Sequence, residues 1–308
     1  MDKLGLSPSA PTKERTLWRF CRRQALAILR GAMPLSTRMR LMVWARRRGL
    51  AACRYIPTTE LFSDFASTDP NGFHRYLWSN HLAYAESYEE SRFGSGKLEA
   101  SRRILFDCIQ ENLSSRGIQP VSQVRSVLDV GCSLGYVLRH AETQVFPAAE
   151  CLQGIDVDQY AVEKGSAHLQ KLGSKIQLGV GDISEMERFW SDCPNNYANS
   201  ISARDKYDVV LCCGVLLYFD EATATRIVEC LLRHTRLLLC IIGLSHPAID
   251  NAELRCTDVR PVDGAFIHNV DRMIRAEGRV VFRRWLPNPL QEGSSPPYLV
   301  LAEPSSPA

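Results

Sequence analysis

The sequence has no hydrophobic run long enough to cross a bilayer. Apolar stretches such as Leu237–Leu244 are far shorter than the roughly 20 residues that a membrane-spanning helix needs. The first residues, Met1–Pro11, are polar and lack the apolar segment of a secretory signal. We therefore expect a protein that neither spans a membrane nor is secreted.

The eleven cysteines form no Cys-x-x-Cys pair and have no histidine partner at metal-ligand spacing, which argues against a metal site. Three of them, Cys212, Cys213 and Cys240, fall in predicted buried strands, where cysteine serves as a small hydrophobic residue. An odd number of scattered cysteines is typical of a reducing compartment. We therefore expect a cytoplasmic protein.

The most informative segment that is present is Ser126–Tyr136. A short apolar run contains Asp129 and ends at Gly131, and a second glycine, Gly135, follows. This pattern predicts a buried parallel strand, a tight turn and a helix N-terminus, where open α/β sheets bind nucleotide-like ligands. The spacing Gly-x-x-x-Gly after an acid differs from the Gly-x-Gly-x-x-Gly of a turn that binds pyrophosphate.

Three further segments show a short apolar strand ending beside an acid or a glycine. They are Gly154–Asp158, Ile176–Gly181 followed by Asp182, and Tyr207–Leu216. The four segments, in this order and at helix-sized intervals, resemble the class I S-adenosylmethionine (SAM)-dependent methyltransferases over about residues 120–303. The resemblance implies an α/β fold with a seven-stranded, mostly parallel sheet, helices on both faces, and SAM as the cofactor.

The resemblance also implies cofactor contacts. The Asp156 carboxylate would accept hydrogen bonds from both ribose hydroxyls, which favours its ionised form, and Asp182 would accept one from the adenine amino group. The implied cofactor-binding residues are Asp129, Gly131, Gly135, Asp156, Asp182, Ile183 and Cys213. Either acid could instead be structural, Asp182 as a helix N-cap. Cys132, in the glycine turn, fits as a small residue rather than a nucleophile.

Positive charge is concentrated at the N-terminal end. Residues 1–60 carry thirteen basic and three acidic residues, a net charge of +10, whereas the whole chain carries only +3. Amphipathic helices are predicted at Arg15–Leu29 and Ser36–Leu50, broken near Gly31 and Pro34. Such helices could pack on the rest of the protein, bind an anionic substrate, or lie on an anionic membrane through residues 13–50.

We predict two regions. Residues 1–72 are a basic helical extension that ends in a turn-rich connector from residue 57. Residues 73–308 are the methyltransferase domain, with helices at 73–119 and the α/β core at 120–303. The remaining predicted elements are helices at Glu221–Arg233 and Gly264–Gly278 (the latter capped by Gly278), strands at Arg236–Ile242, Val280–Trp285 and Tyr298–Ala302, and loops at Trp190–Lys206 and Pro287–Pro297.

The acceptor is less well defined by the sequence. Gly214–Phe219 lacks the Asn/Asp-Pro-Pro-Tyr/Phe signature of enzymes that methylate nucleic-acid bases, and no basic stripe with interleaved aromatics lies beyond the first sixty residues. These absences favour a small-molecule, natural-product or glycan-type acceptor over nucleic acid. Direct methyl displacement needs the acceptor held in line, and an oxygen or ammonium acceptor also needs a general base.

Two sets of residues are candidates for the acceptor site. They are Tyr218, His246 and His268 for catalysis, and Tyr84 and Tyr88 for the pocket wall, which together with Arg92 would also close over the methionine end of SAM. His246 follows the predicted fifth strand, and His268 falls in the predicted next helix. For each of them an ordinary structural role is the alternative. Two other functions stay open: a SAM-fold transferase of the aminopropyl type, and a non-catalytic SAM-binding scaffold.

Overall fold

The computed structural model describes residues 24–28, 30–48, 61–80, 82, 98, 100–186, 206–260, 264–285 and 297–305. The helices are α1 Leu35–Arg47, α2 Ser63–Thr68, α3 Pro70–Ser79, α4 Ala100–Ser115, α5 Pro120–Gln123, α6 Tyr136–His140, α7 Gln159–Lys171, α8 Glu221–Arg233 and α9 Val270–Ile274. The strands are β1 Ser126–Val130, β2 Cys151–Asp156, β3 Gln177–Val180, β4 Tyr207–Cys213, β5 Thr235–Leu244, β6 Asp258–Val259, β7 Phe266–Ile267, β8 Gly278–Trp285 and β9 Pro297–Pro304. None of the described helices has both the length and the apolar composition needed to cross a membrane.

Seven strands form one sheet in the order β3-β2-β1-β4-β5-β9-β8. β1 to β5 are parallel, whereas β9 runs antiparallel to both of its neighbours, β5 and β8. From β1, successive strands are added first toward β3 and then, from β4, toward the opposite edge of the sheet. Ligands in such sheets bind beyond the carboxyl ends of the strands at this reversal, between β1 and β4. The predicted seven-stranded, mostly parallel sheet is confirmed.

Helices cover both faces of this sheet. Alternate residues of a strand point to opposite faces, so the buried Val127 and Leu128 of β1 belong to different core clusters. Val127 packs in the cluster that includes Ile109 of α4, and Leu128 in the cluster that includes Ile227 of α8. The central strands therefore hold the carboxyl edge of the sheet in a fixed position.

A third apolar cluster joins the N-terminal helices. Its fully buried members include Phe62, Phe73 and Leu77, and α1 packs Met39 and Val43 against it. Arg38, also on α1, is buried with 4% exposure. Its guanidinium donates to both carboxylate oxygens of Asp64 and to the carbonyl of Leu61, and the bond from Arg38 lowers the pKa of Asp64. The inner face of α1 is therefore anchored on α2 and α3.

Replacing Arg38 by methionine should lower the free energy of unfolding by about 2–3 kcal/mol, because it deletes charge-assisted hydrogen bonds and leaves the Leu61 carbonyl unpaired. Urea unfolding measures this value. Arg40→Met, on the exposed face of the same helix, is the matched control and should change it by less than about 0.5 kcal/mol. Equal effects of the two substitutions would contradict the anchoring role of Arg38.

The predicted connector at 57–72 is wrong over its described part, which forms α2 and the start of α3. The run Thr68-Asp69-Pro70 suggested a turn, but the Asp69 carboxylate accepts from the Gly72 amide at 2.9 Å and Pro70 is the first helical residue. This is a helix N-cap followed by a proline at the position that tolerates it. The predicted boundary at residue 72 therefore falls inside α3.

The predicted helix at Gly264–Gly278 is also wrong over most of its length. Phe266 and Ile267 form a short strand paired with β6, and α9 begins only after Asn269, whose side chain accepts from the Arg272 amide. Gly278 is not a helix cap but opens β8, where an added Cβ would lie 2.4 Å from the Glu303 carbonyl oxygen. Glycine is needed there for the close approach of β8 and β9.

Candidate cofactor and acceptor site

A cavity of about 390 Å³ lies at the carboxyl edge of β1 to β4. It is lined by the ends of β2 and β4, the turns after all four strands, and helices α3, α4 and α6. The lining residues are His74, Arg75, Trp78, Arg102, Gly131, Ser133, Leu134, Tyr136, Ile155, Asp156, Val157, Gly181, Asp182, Ile183, Cys213, Gly214, Val215, Leu217, Tyr218 and Phe219. The cavity therefore sits at the point of strand reversal, where the topology predicts a ligand site.

The turn after β1 needs its two glycines for different reasons. Gly131 has φ +76°, and a Cβ there would lie 2.2 Å from Cγ2 of Val215, in the turn after β4. Gly135 has φ +79°, and its Cβ would lie 3.1 Å from carbons of Leu169 and Leu178. Left-handed backbone of this kind favours glycine. Gly131 thus lets two cavity-forming turns approach each other.

Asp156 ends β2 and is oriented by the glycine turn. Its Oδ2 accepts from the Ser133 amide at 2.7 Å and its Oδ1 from the Asp158 amide at 2.9 Å. Each carboxylate oxygen has a second acceptor position, so Asp156 can still accept two hydrogen bonds from a ligand. Burial raises its pKa to about 6, although these amide donors pull the other way.

Asp182 lines the cavity and also has structural partners. Its Oδ1 accepts from the Ser184 amide and hydroxyl at 2.9 and 2.7 Å, which caps the turn Ile183–Glu185. Its Oδ2 lies 2.8 Å from Nε of Arg75 on α3. The helix-cap alternative is therefore what the structure shows, and contact of Asp182 with adenine stays a prediction. Ile183, predicted beside it, lines the same wall.

Asp129 lies behind the glycine turn rather than on the described cavity wall. Burial raises its pKa to about 7, the Arg102 guanidinium opposes that rise, and the Asp156 carboxylate adds to it. Arg102 itself lines the cavity and donates to the Cys213 carbonyl at 3.3 Å. Burial raises the pKa of Cys213 to about 11, so this thiol stays neutral. Arg102 was not predicted, because its only signal in the sequence is its place in the helix before β1.

Helix α3, at the start of the predicted pre-core helices, supplies one wall of the cavity through residues that were not among the predicted candidates. His74 and Trp78 lie with ring centroids 5.0 and 5.1 Å from Tyr218. Asn71 holds the start of α3 to Asp220, since its Oδ1 accepts from the Asp220 amide at 2.9 Å and its Nδ2 donates to the Asp220 carboxylate. An aromatic cluster of α3 and the turn after β4 therefore encloses one side of the cavity.

Residues 128–240, from β1 into β5, match the family model described as a methyltransferase domain. This part of the chain is similar to a methyltransferase domain, and the sheet order is that of the class I fold expected from the sequence. The matched part contains the glycine turn, Asp156 at the end of β2 and Asp182 shortly after β3, and the sheet order places them at one edge. No curated protein matches the sequence.

Several solved structures resemble the chain at low identity. The N-methyltransferase NodS from Bradyrhizobium japonicum WM9, with S-adenosyl-l-homocysteine, is 16% identical with a TM-score of 0.48, over 71% of this chain and 94% of its own. Magnesium protoporphyrin IX methyltransferase ChlM from Synechocystis PCC 6803 is 15% identical with a TM-score of 0.45, over 80% and 99%. The cyclase SpnF is 14% identical with a TM-score of 0.49, over 68% and 84%.

SAM is the cofactor of this domain class, and the cavity of the methyltransferase domain fits it. The fit rests on two features. Each carboxylate oxygen of Asp156 can accept one more hydrogen bond. Gly131 has no side chain, so the turns after β1 and β4 can lie close together at the cavity. Residues that would hold SAM are Asp156 at the ribose and Ile183 at the adenine, beside the glycine turn. The half-buried Arg102 adds a cation that could pair with the carboxylate of the methionine end.

The two histidines predicted as bases do not line the cavity. His246 is held outside it: Nδ1 accepts from the Ala248 and Ile249 amides at 3.1 Å, and Nε2 lies 3.3 Å from the Asp258 carboxylate. His246 follows β5, as predicted. Because its ring lies outside the cavity, its position does not support the predicted role as a general base.

His268 lies between β7 and α9, not in a helix as predicted. Its Nε2 donates to the Leu216 carbonyl at 3.0 Å, so Nδ1 accepts from the Thr257 hydroxyl at 2.8 Å. Burial lowers its pKa and keeps the ring neutral. His268 therefore supports the turn Leu216–Tyr218, which forms part of the cavity wall. Tyr84, Tyr88 and Arg92 lie outside the described residues.

The affinity of the methyltransferase domain for SAM should rise between about pH 5 and pH 7, because the Asp156 carboxyl, with a pKa of about 6, accepts two hydrogen bonds best when ionised. Calorimetric titrations across this range measure the effect. Asp156→Asn should flatten the part of the profile centred near pH 6.

The stability of the unliganded chain should change in the opposite direction. A carboxyl with a folded pKa above its ordinary value contributes stability at acid pH and loses it as pH rises through the folded pKa. The Asp129 and Asp156 carboxyls, with pKa values of about 7 and about 6, should therefore lower the free energy of unfolding as pH rises toward neutrality.

A SAM affinity that falls with rising pH would contradict the assignment of Asp156.

Proposed function

We propose that the enzyme transfers the methyl group of SAM to a small-molecule acceptor, of natural-product or glycan type, bound against the aromatic wall of α3. SAM supplies a sulfonium methyl group that is already electrophilic. The observation that carries the proposal is the contact of Trp78 and His74 with Tyr218, directly beside the turn after β4 that borders the cofactor site.

The size and lining of the cavity support a small acceptor. Its volume of about 390 Å³ lies at the lower end of the range typical of small-molecule sites, about 300–1,000 Å³. Trp78, Leu217, Tyr218 and Phe219 give the acceptor side an apolar character, and the polar groups Asp156 and Asp182 lie toward the ends of β2 and β3. Apolar walls with few polar groups are typical of such sites.

The chain's own residues would exclude water and position the acceptor. Asn71 fixes α3 to Asp220, and His268 fixes the turn that carries Tyr218. Among the predicted catalytic residues, Tyr218 lines the cavity, whereas His246 and His268 do not. The Tyr218 hydroxyl can hold the acceptor by a hydrogen bond in line with the methyl group, and such positioning lowers the barrier to transfer.

A transfer assay with methyl-labelled SAM and a panel of phenol, amine, carboxylate and sugar acceptors tests this proposal. On the acceptor that reacts, Trp78→Ala should raise KM about tenfold, because an interface side chain of this kind contributes about 1–2 kcal/mol. Tyr218→Phe keeps the ring and should mainly lower kcat. Tyr160→Phe, an exposed tyrosine outside the cavity, is the matched control and should change neither.

Three results would overturn the proposal. Transfer of label to nucleic acid alone would reject the small acceptor. SAM binding without transfer to any acceptor would favour the scaffold alternative, whereas reaction only with decarboxylated SAM would favour aminopropyl transfer.

A further inference from the structure

We propose that the outward face of α1 docks on the surface of an anionic lipid membrane. The helix has two distinct faces. Met39, Met42 and Val43 pack inward against the N-terminal apolar cluster. Arg40 and Trp44 face away from that cluster and are exposed. An amphipathic helix with arginines beside tryptophan and leucine is the kind that lies in the plane of a membrane interface.

The exposed face combines large apolar and cationic side chains at helical spacing. Arg40, Trp44 and Arg48 follow one another at intervals of four residues, which places them on one side of the helix. Trp44 is 50% exposed and the neighbouring Leu41 is 49% exposed. The Arg48 guanidinium lies 5.9 Å from the centre of the Trp44 ring. A tryptophan held beside an arginine in this way presents an apolar surface rimmed by positive charge.

The domain cannot bury this face by rotating α1. Arg38 points to the opposite side, is buried, and holds α1 to Asp64 and to the Leu61 carbonyl. Rotation would break this anchor and expose the packed methionines. The orientation of Trp44 and Arg48 toward the outside is therefore a fixed property of the fold.

The charge of the segment identifies the occupant. Residues 24–48 contain six arginines and no acidic residue. A second copy docked face to face would bring arginines against arginines, since a two-fold interface pairs the same surface on both subunits. An anionic lipid surface instead attracts cations and accepts tryptophan and leucine at its apolar boundary. Ile28, 69% exposed in the helical residues before α1, would add to the inserted apolar surface.

Sedimentation of the full-length protein with vesicles tests the proposal. Vesicles of phosphatidylglycerol and phosphatidylcholine should bind it, vesicles of phosphatidylcholine alone should not, and binding should fall steeply between low and physiological salt because the charges become screened. Arg40→Glu with Arg48→Glu should weaken binding at least about tenfold, since each surface cation contributes about fivefold. Leu41→Ala with Trp44→Ala should weaken it by a similar factor, because it removes the inserted groups.

The matched control is Tyr160→Ala with Lys164→Glu. Tyr160 is also 50% exposed, and the Lys164 ammonium lies 5.8 Å from its ring centre four residues along α7. This variant loses the same kinds of group from another face, so its vesicle affinity should stay within about twofold of the parent. Circular dichroism confirms the fold of each variant, and because the replaced side chains are exposed, neither α1 variant should unfold.

Three outcomes would overturn the proposal. The first is failure of the parent protein to sediment with anionic vesicles at low salt. The second is equal vesicle binding by the α1 variants and the α7 control. The third is concentration-dependent dimerisation that the α1 variants abolish while vesicle binding is unaffected, which would assign the face to a second copy of the chain.

Discussion

Replacing Gly131 by valine should abolish measurable SAM binding. Gly131 has φ +76°, and its Cβ would lie 2.2 Å from Cγ2 of Val215. The left-handed backbone costs a residue with a side chain about 1–2 kcal/mol, and a branched side chain also forces apart the two turns that form the cavity. Together these effects should weaken binding more than about a hundredfold, as isothermal titration calorimetry will show.

Gly173 provides a control that separates backbone strain from the clash. It has φ +63°, and a Cβ there would meet nothing within 4 Å. Gly173→Val should therefore lower stability without changing SAM affinity. Because the clash involves Val215, the milder Gly131→Ala should regain part of its affinity when combined with Val215→Ala. A folded Gly131→Val protein that binds SAM normally would show that the turn does not contact the cofactor.

Replacing Asp156 by alanine should weaken SAM binding by roughly ten- to a hundredfold, because losing the acceptor of a charge-assisted hydrogen bond costs about 1.5–3 kcal/mol. The structure adds a second reason. The Ser133 and Asp158 amides, which donate to the two carboxylate oxygens, would lose their partner, and with it the orientation of the glycine turn. The same calorimetric titration measures the loss.

Asp250→Ala is the control for this substitution. The Asp250 side chain also accepts from a backbone amide, that of Ala252, but it caps the turn Asn251–Glu253 and does not line the cavity. SAM affinity should be unchanged in this variant. Unaltered affinity in a folded Asp156→Ala protein would remove Asp156 from the cofactor site.

Local patterns predicted the cofactor half of the site well. The strand β1 could be predicted because residues buried on both faces of a sheet form a short apolar run in the sequence. The turn could be predicted because left-handed backbone at Gly131 and Gly135 favours glycine. Asp156 was found because it ends the next strand of the same βαβ unit. These features depend on neighbours in the sequence, so the sequence contains their signals.

The acceptor half depends on contacts between distant residues. His74 and Trp78 reach Tyr218 only because α3 packs across the sheet edge, and nothing near residue 74 in the sequence indicates that contact. The Asp69-Pro70 pair indicated a turn where the chain begins a helix. His268 follows the two-residue strand β7, which is defined only by its pairing with β6. Tertiary structure decided each of these positions.

Titration of SAM into the full-length protein by isothermal calorimetry tests the central claim most directly. We expect saturable binding at one site per chain, binding of the demethylated product S-adenosylhomocysteine at the same site, and an affinity that increases as Asp156 ionises. Absence of any binding at millimolar SAM by a folded protein would contradict both the methyltransferase assignment and the proposed transfer reaction.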